Sequence, residues 1–151
     1  MDAADGATAI AHTIQLAVAP VFLLSGLGML LNLFAGRLAR VIDRSRWIEQ
    51  RFDELEGEPR LRAQRELRYL DQRMRIVGWS IGLCVLSCMA VWLVVAGLFI
   101  ARLLGGGFAR PVAFLFILAM ALLVAALALF MLEVRLAART IRVRNELMEK
   151  R

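Results

Sequence analysis

Charged side chains are absent from three stretches of this chain, residues 6–36, 76–101 and 111–132, which are 31, 26 and 22 residues long. Crossing a hydrocarbon core about 30 Å thick takes ~20 apolar residues in a helix. A backbone immersed in hydrocarbon must satisfy its own N–H and C=O groups, so each stretch reads as a membrane-spanning helix. The composition agrees: 60% of the residues are hydrophobic and 21% charged, with a mean hydropathy of +0.67. Soluble domains sit near 45–50% apolar with about a quarter of their residues charged. Nothing outside the three stretches is long enough to build a core of its own, which excludes a soluble catalytic domain.

The 19 basic residues sort the segments between these helices. Eleven fall in 37–75, six in 133–151, two in 102–110 and none before residue 6. Juxtamembrane Lys and Arg stay on the cytoplasmic side, which predicts an outer N-terminus and an inner C-terminus. Eight acidic residues in 37–75 and three in 133–151 leave each segment at +3. Basic and acidic residues interleave at helical spacing without an aromatic–basic platform, an arrangement that argues against nucleic-acid binding and for contact with anionic lipid headgroups. The acidic start, Met1-Asp2-Ala3-Ala4-Asp5, and the full-length apolar run behind it differ from a cleavable signal peptide, so the first helix is expected to be retained.

Between residues 37 and 56 no Pro or Gly interrupts the chain, and Leu38, Val41, Ile48, Phe52 and Leu55 recur in steps of three and four, with Ser45 as a gap. That is a heptad-like seam. It predicts that the first helix continues roughly 30 Å past the membrane, stops at Gly57 and turns at Pro59. The returning segment repeats the pattern at Ala63, Leu67, Leu70, Met74 and Val77, and the tail does so at Val134, Ala138, Ile141, Asn145 and Met148. Arg62 with Glu66 and Asp71 with Arg75 stand four apart, as helical ion pairs do. The seams join the three helices within a subunit or also join subunits.

The expected architecture is therefore all-α. An outer N-terminus and first transmembrane helix occupy 1–36, a cytoplasmic helical hairpin 37–75 and a second transmembrane helix 76–101. An outer turn at 102–110, containing Gly105-Gly106-Gly107, leads to a third transmembrane helix at 111–132 and a cytoplasmic helix at 133–151. Each membrane helix thus extends into a cytoplasmic, coiled-coil-like helical stalk.

Polar groups inside a membrane helix are costly and are the first place to look for function. At 100° per residue, Ser25, Asn32, Gly36 and Asp43 fall within a sector of about 40°, with Gly28 at its edge. Such a stripe either lets helices pack closely and hydrogen-bond in lipid or, repeated around an axis, lines a pore. At the inner boundary, Arg37, Arg40, Asp43, Arg44 and Arg46 form either a headgroup anchor or a charged mouth, with Arg40 and Asp43 spaced for an ion pair. Ser80, Cys84, Ser87 and Val91 on the second helix and Ala121, Ala125 and Ala128 on the third read as helix contacts. His12, alone near the outer face, reads as an interface residue. Two cysteines four apart on a helix, Cys84 and Cys88, are badly placed for a disulfide and lack companions for a metal site. No nucleophile–base pair, metal-ligand spacing or phosphate-binding loop is present, so neither an enzyme nor a cofactor is expected.

The run Pro20-Val21-Phe22-Leu23-Leu24-Ser25-Gly26-Leu27-Gly28-Met29-Leu30-Leu31-Asn32, continuing through Gly36-Arg37-Leu38-Ala39-Arg40-Val41-Ile42-Asp43-Arg44-Ser45-Arg46, is similar to the opening block of a bacterial membrane family catalogued as domain of unknown function 2721. The three-helix layout with a long charged loop after the first helix resembles that family too. The resemblance implies a bacterial inner-membrane protein and brings no activity or cofactor. Two functions stay open: a homo-oligomeric channel or pore lined by the first helix, or a non-conducting scaffold or regulatory partner that works through the stalk. The pore is the first choice, because conduction needs a polar lining joined to an electrostatic entrance.

Overall fold

A computed structural model describes residues 3–103 and 109–148. They form three long helices: α1 (Ala3–Glu49), α2 (Glu58–Leu103) and α3 (Ala109–Met148), with a 3-10 turn at Phe52–Glu54 between the first two. Among the described residues there is no strand, and each helix is long and apolar enough to cross a membrane. At 1.5 Å per residue the three run about 60–70 Å, twice the thickness of a bilayer core. The glycine turn at 105–107 lies outside the described residues. So do the side chains of His12, Ala138, Ile141, Asn145 and Met148, whose backbone is helical.

Each helix carries a series of buried residues spaced seven apart, joined on α1 by Ser45 and on α2 by Ser80, Ser87, Ala90 and Val94. The series is Pro20, Leu27, Phe34, Val41 and Ile48 on α1, Ala63, Leu70, Val77, Cys84 and Val91 on α2, and Ala119, Ala126 and Glu133 on α3. A straight helix drifts only ~20° over seven residues, so this spacing keeps one narrow side of each helix turned inward.

The chain divides into two compact units. One combines the chain up to Leu31 with Leu83–Val124. Its helices touch through small residues: the Ser87 hydroxyl donates to the Ala119 carbonyl at 2.8 Å, and a Cβ on Gly97 would lie 2.9 Å from a Val112 methyl. Close backbone approach and hydroxyl bonds between helices are what packing in lipid rewards. Ser80, Cys84, Ser87 and Val91 are all buried, the first of them in the other unit, and both cysteines are free. The alanine face expected on α3 is corrected: Ala121, Ala125 and Ala128 are exposed, while Ala119 and Ala126, on the opposite side, are buried.

The second unit, Asn32–Gly82 with the chain from Ala125 onward, contains a hairpin in which the end of α1 packs against the start of α2. Val41, Ile48, Ala63 and Leu70 form its core, with Phe52, Leu55, Leu67 and Met74 packed around them. Ser45, the polar gap in the seam, is buried and returns its hydroxyl to the Ile42 carbonyl at 3.0 Å. The helix ends at Glu49 rather than at residue 56. Tightened bonds from Arg51 N to Ile48 O, Glu54 N to Arg51 O and Leu55 N to Phe52 O begin the reversal early. This lets Phe52 and Leu55 close over the hairpin core. Gly57 then supplies the left-handed backbone, φ +63°, that starts α2. Glu66 pairs with Arg44 across the hairpin at 2.8 Å, whereas Arg62, its expected partner, reaches back to Glu58 at 3.4 Å.

Candidate functional site

The second unit holds a carboxylate where the seven-residue pattern calls for a core side chain. Glu133 follows Ala119 and Ala126 on the inward side of α3 and has 0% of its surface exposed. An ion removed from water costs several kcal/mol unless charged partners replace its hydration. Arg73 on α2 is the principal partner: its Nε and Nη2 donate to Glu133 Oε1 at 3.0 and 2.5 Å. On α1, Arg37 Nη1 stands 4.0 Å from the other oxygen, Oε2. That separation is beyond hydrogen-bond range, and among the described residues Oε2 has no hydrogen-bond partner. The arginine side chains are 17% and 34% exposed respectively.

Spacing along each helix brings further groups to the same place. Phe34, three residues before Arg37, stacks on Phe130, three before Glu133, with centroids 4.3 Å apart and planes tilted by 33°. The Arg37 guanidinium lies 5.9 Å from the Phe130 ring. Tyr69, one turn before Arg73, has its ring 5.8 Å from that guanidinium and donates its hydroxyl to the Leu136 carbonyl at 2.8 Å. Residues at i, i+3 and i+4 share a helix face, so α2 grips α3 at positions 133 and 136 while α1 touches it at 130 and faces it at 133. One carboxylate and two guanidiniums sum to a formal +1. The cluster can hold three helices together, and it retains an acceptor oxygen, Oε2, without a hydrogen-bond partner among the described residues.

The residues singled out from the sequence lie elsewhere, except Arg37. Ser25, Gly28 and Asn32 are exposed, and among the described residues neither Ser25 nor Asn32 makes a side-chain hydrogen bond. They occupy the side of α1 opposite Leu27, Phe34, Val41 and Ile48. A Cβ on Gly28 would meet nothing within 4 Å, and one on Gly36 only the tip of Arg40, at 4.0 Å. Among the described residues, close approach is therefore not made at these glycines. The basic cluster is dispersed: Arg37 turns toward α3, Arg44 toward α2, and Arg40, Asp43 and Arg46 are exposed. Among the described residues no ion pair joins Arg40 to Asp43.

Glu133 and Arg73 escape a reading of the sequence by charge gaps, because Glu133 marks the edge of the third gap and Arg73 lies inside the most basic segment. The signal that finds Glu133 is its register, seven after Ala126 and fourteen after Ala119.

No curated protein and no solved structure matches this chain. The sequence pattern of one family matches residues 17–143, a span that contains Ser25, Asn32, Arg37, Arg73 and Glu133. The chain is a multi-helix membrane protein that belongs to the family described as "Protein of unknown function (DUF2721)".

Proposed function

We propose that this protein is a homo-oligomer whose subunits surround a pore lined by α1, in the inner membrane of a bacterium with the N-terminus outside and the C-terminus in the cytoplasm. One observation carries the reading: Ser25, Gly28 and Asn32 are exposed on one side of α1, and among the described residues neither Ser25 nor Asn32 makes a side-chain hydrogen bond. A hydroxyl and an amide directed at lipid give up hydrogen bonds, whereas a shared axis or a neighbouring subunit supplies them. Cyclic symmetry does this for every copy at once. Ser25 and Asn32 then line the membrane part of the path, Gly28 and Gly36 leave room for close approach, and Arg40, Asp43 and Arg46 set the field at the cytoplasmic mouth. Arg37 and Arg44 have partners on α3 and α2 and are assigned to subunit structure instead. No catalysis is assigned to the chain, and its exposed arginines contact anionic headgroups.

Ion flux from proteoliposomes of purified protein tests this. Wild type is expected to conduct, and Asn32→Leu to lower conductance or alter selectivity. Asn32→Leu with unchanged conductance would move the pore to another helix, and wild-type vesicles silent at every voltage, pH and membrane tension would refute the pore. A non-conducting scaffold is the second reading. It is favoured by an open groove of about 320 Å³ at the hairpin, lined by Trp47, Arg51, Leu55, Pro59 and Arg62 among others. Arg44 and Arg51 lie over the half-exposed Trp47 ring, at 4.6 and 4.1 Å.

A further inference from the structure

The two arginines that face Glu133 are not equivalent. Arg73 makes two hydrogen bonds, both to Oε1, and is largely buried. Arg37 makes none to the carboxylate, keeps a third of its surface exposed, and faces an oxygen that is fully buried and has no hydrogen-bond partner. Buried polar atoms in folded proteins are almost always paired, so an orphan oxygen calls for an explanation. The nearest donor is Arg37 itself, and an approach of about 1 Å brings it to charge-assisted hydrogen-bond distance.

We infer that Glu133 is a releasable latch on α1. Oε1 anchors α3 to α2 through Arg73 in both positions of the latch, and Oε2 takes or releases Arg37. In the released position the Arg37 guanidinium rests beside the Phe130 ring, toward solvent, as its 5.9 Å separation from that ring allows. The charge inventory suits two positions of similar energy. Arg73 already compensates Glu133, so Arg37 is the surplus cation: drawing it in gains a hydrogen bond and loses hydration. The segment that moves with it carries Asn32 and Asp43, so the latch controls the inner part of the proposed pore. This assignment of regulation rests on the pore reading above; the motion itself does not.

The test uses the full chain with Cys84→Ala and Cys88→Ala, and spin labels at Ala39→Cys on α1 and Arg135→Cys on α3. Labelled subunits are diluted among unlabelled ones in lipid nanodiscs, and flux is measured in parallel without the labels. In the latch scheme, Arg37→Gln shifts the balance of two label separations by up to about fivefold toward the longer one and changes flux by a similar factor. Arg37→Lys, which keeps a point charge able to reach Oε2, restores part of both. Arg65→Gln, at an exposed arginine on α2 that has no ion pair among the described residues, leaves both at the wild-type value. An Arg37→Gln distance distribution identical to wild type overturns the latch, whatever the flux does. A shifted distribution in a protein that never conducts supports the latch as a motion of α1 and overturns the pore.

Discussion

Replacing Glu133 with Gln keeps the volume of the side chain and one acceptor oxygen while deleting the charge. Arg73, 17% exposed, and Arg37, 34% exposed, then face each other across the site without a counter-ion. Removing one member of a fully buried ion pair costs ~3–5 kcal/mol, most of it from the charge left behind. Arg37 can turn to solvent and Arg73 can still donate to the amide oxygen, so the expected loss is about 2–3 kcal/mol. For a domain of this size, each kcal/mol moves the midpoint by roughly 2–4 °C. The midpoint should therefore fall by ~5–10 °C when unfolding is followed in nanodiscs by the fluorescence of Trp47, Trp79 and Trp92. Arg37→Gln should move it far less, since a partly exposed charge 4.0 Å from its partner contributes ~0–1 kcal/mol. The triple variant Glu133→Leu, Arg73→Met, Arg37→Met should recover most of the loss, because exchanging a whole buried ionic group for packed apolar side chains is commonly neutral or stabilising. A Glu133→Gln midpoint within 1 °C of wild type would show that the carboxylate is not the charged centre of a packed site.

Two further perturbations probe the helix contacts. Gly97→Ala places a methyl 2.9 Å from Val112 and should cost about 1–3 kcal/mol; adding Val112→Ala should return much of it, and no rescue in the same unfolding assay would show that the contact is not tight. Ile48→Ala empties the centre of the hairpin core and should cost ~2–4 kcal/mol. Limited proteolysis should then cut first between residues 50 and 57, and cleavage unchanged from wild type would mean that this core does not hold the hairpin.

Much of the architecture is legible in the residues alone. Three charge-free runs longer than a bilayer is thick have to be helices, because hydrocarbon offers the backbone no other hydrogen-bond partner. The hairpin seam is equally legible: Val41, Ile48, Ala63 and Leu70 stand out against charged neighbours, and contrast between faces is what a periodicity reports. Within the apolar runs that contrast disappears. On α3, Ala121, Ala125 and Ala128 are chemically the same as Ala119 and Ala126, and only packing decides that the latter pair is buried. The point at which α1 stops belongs to tertiary structure as well, since Phe52 and Leu55 leave the helix to cover a core whose other half is supplied by α2.

Charge partners divide in the same way. The sequence offers Arg62 to Glu66 at helical spacing, but a residue four positions away competes with every side chain that folding brings near, and Arg44, 22 positions earlier, prevails. Glu133 is the extreme case. Read along the chain it is the first charge after an apolar run, the ordinary mark of a helix leaving the membrane. Its burial follows from the seven-residue register of α3, and its tolerance there from Arg73, 60 positions away in the sequence. Which helices span a membrane is a property of local solvation, which each segment carries by itself; which carboxylate can be buried depends on two arginines delivered by two other helices, which only the folded chain brings together.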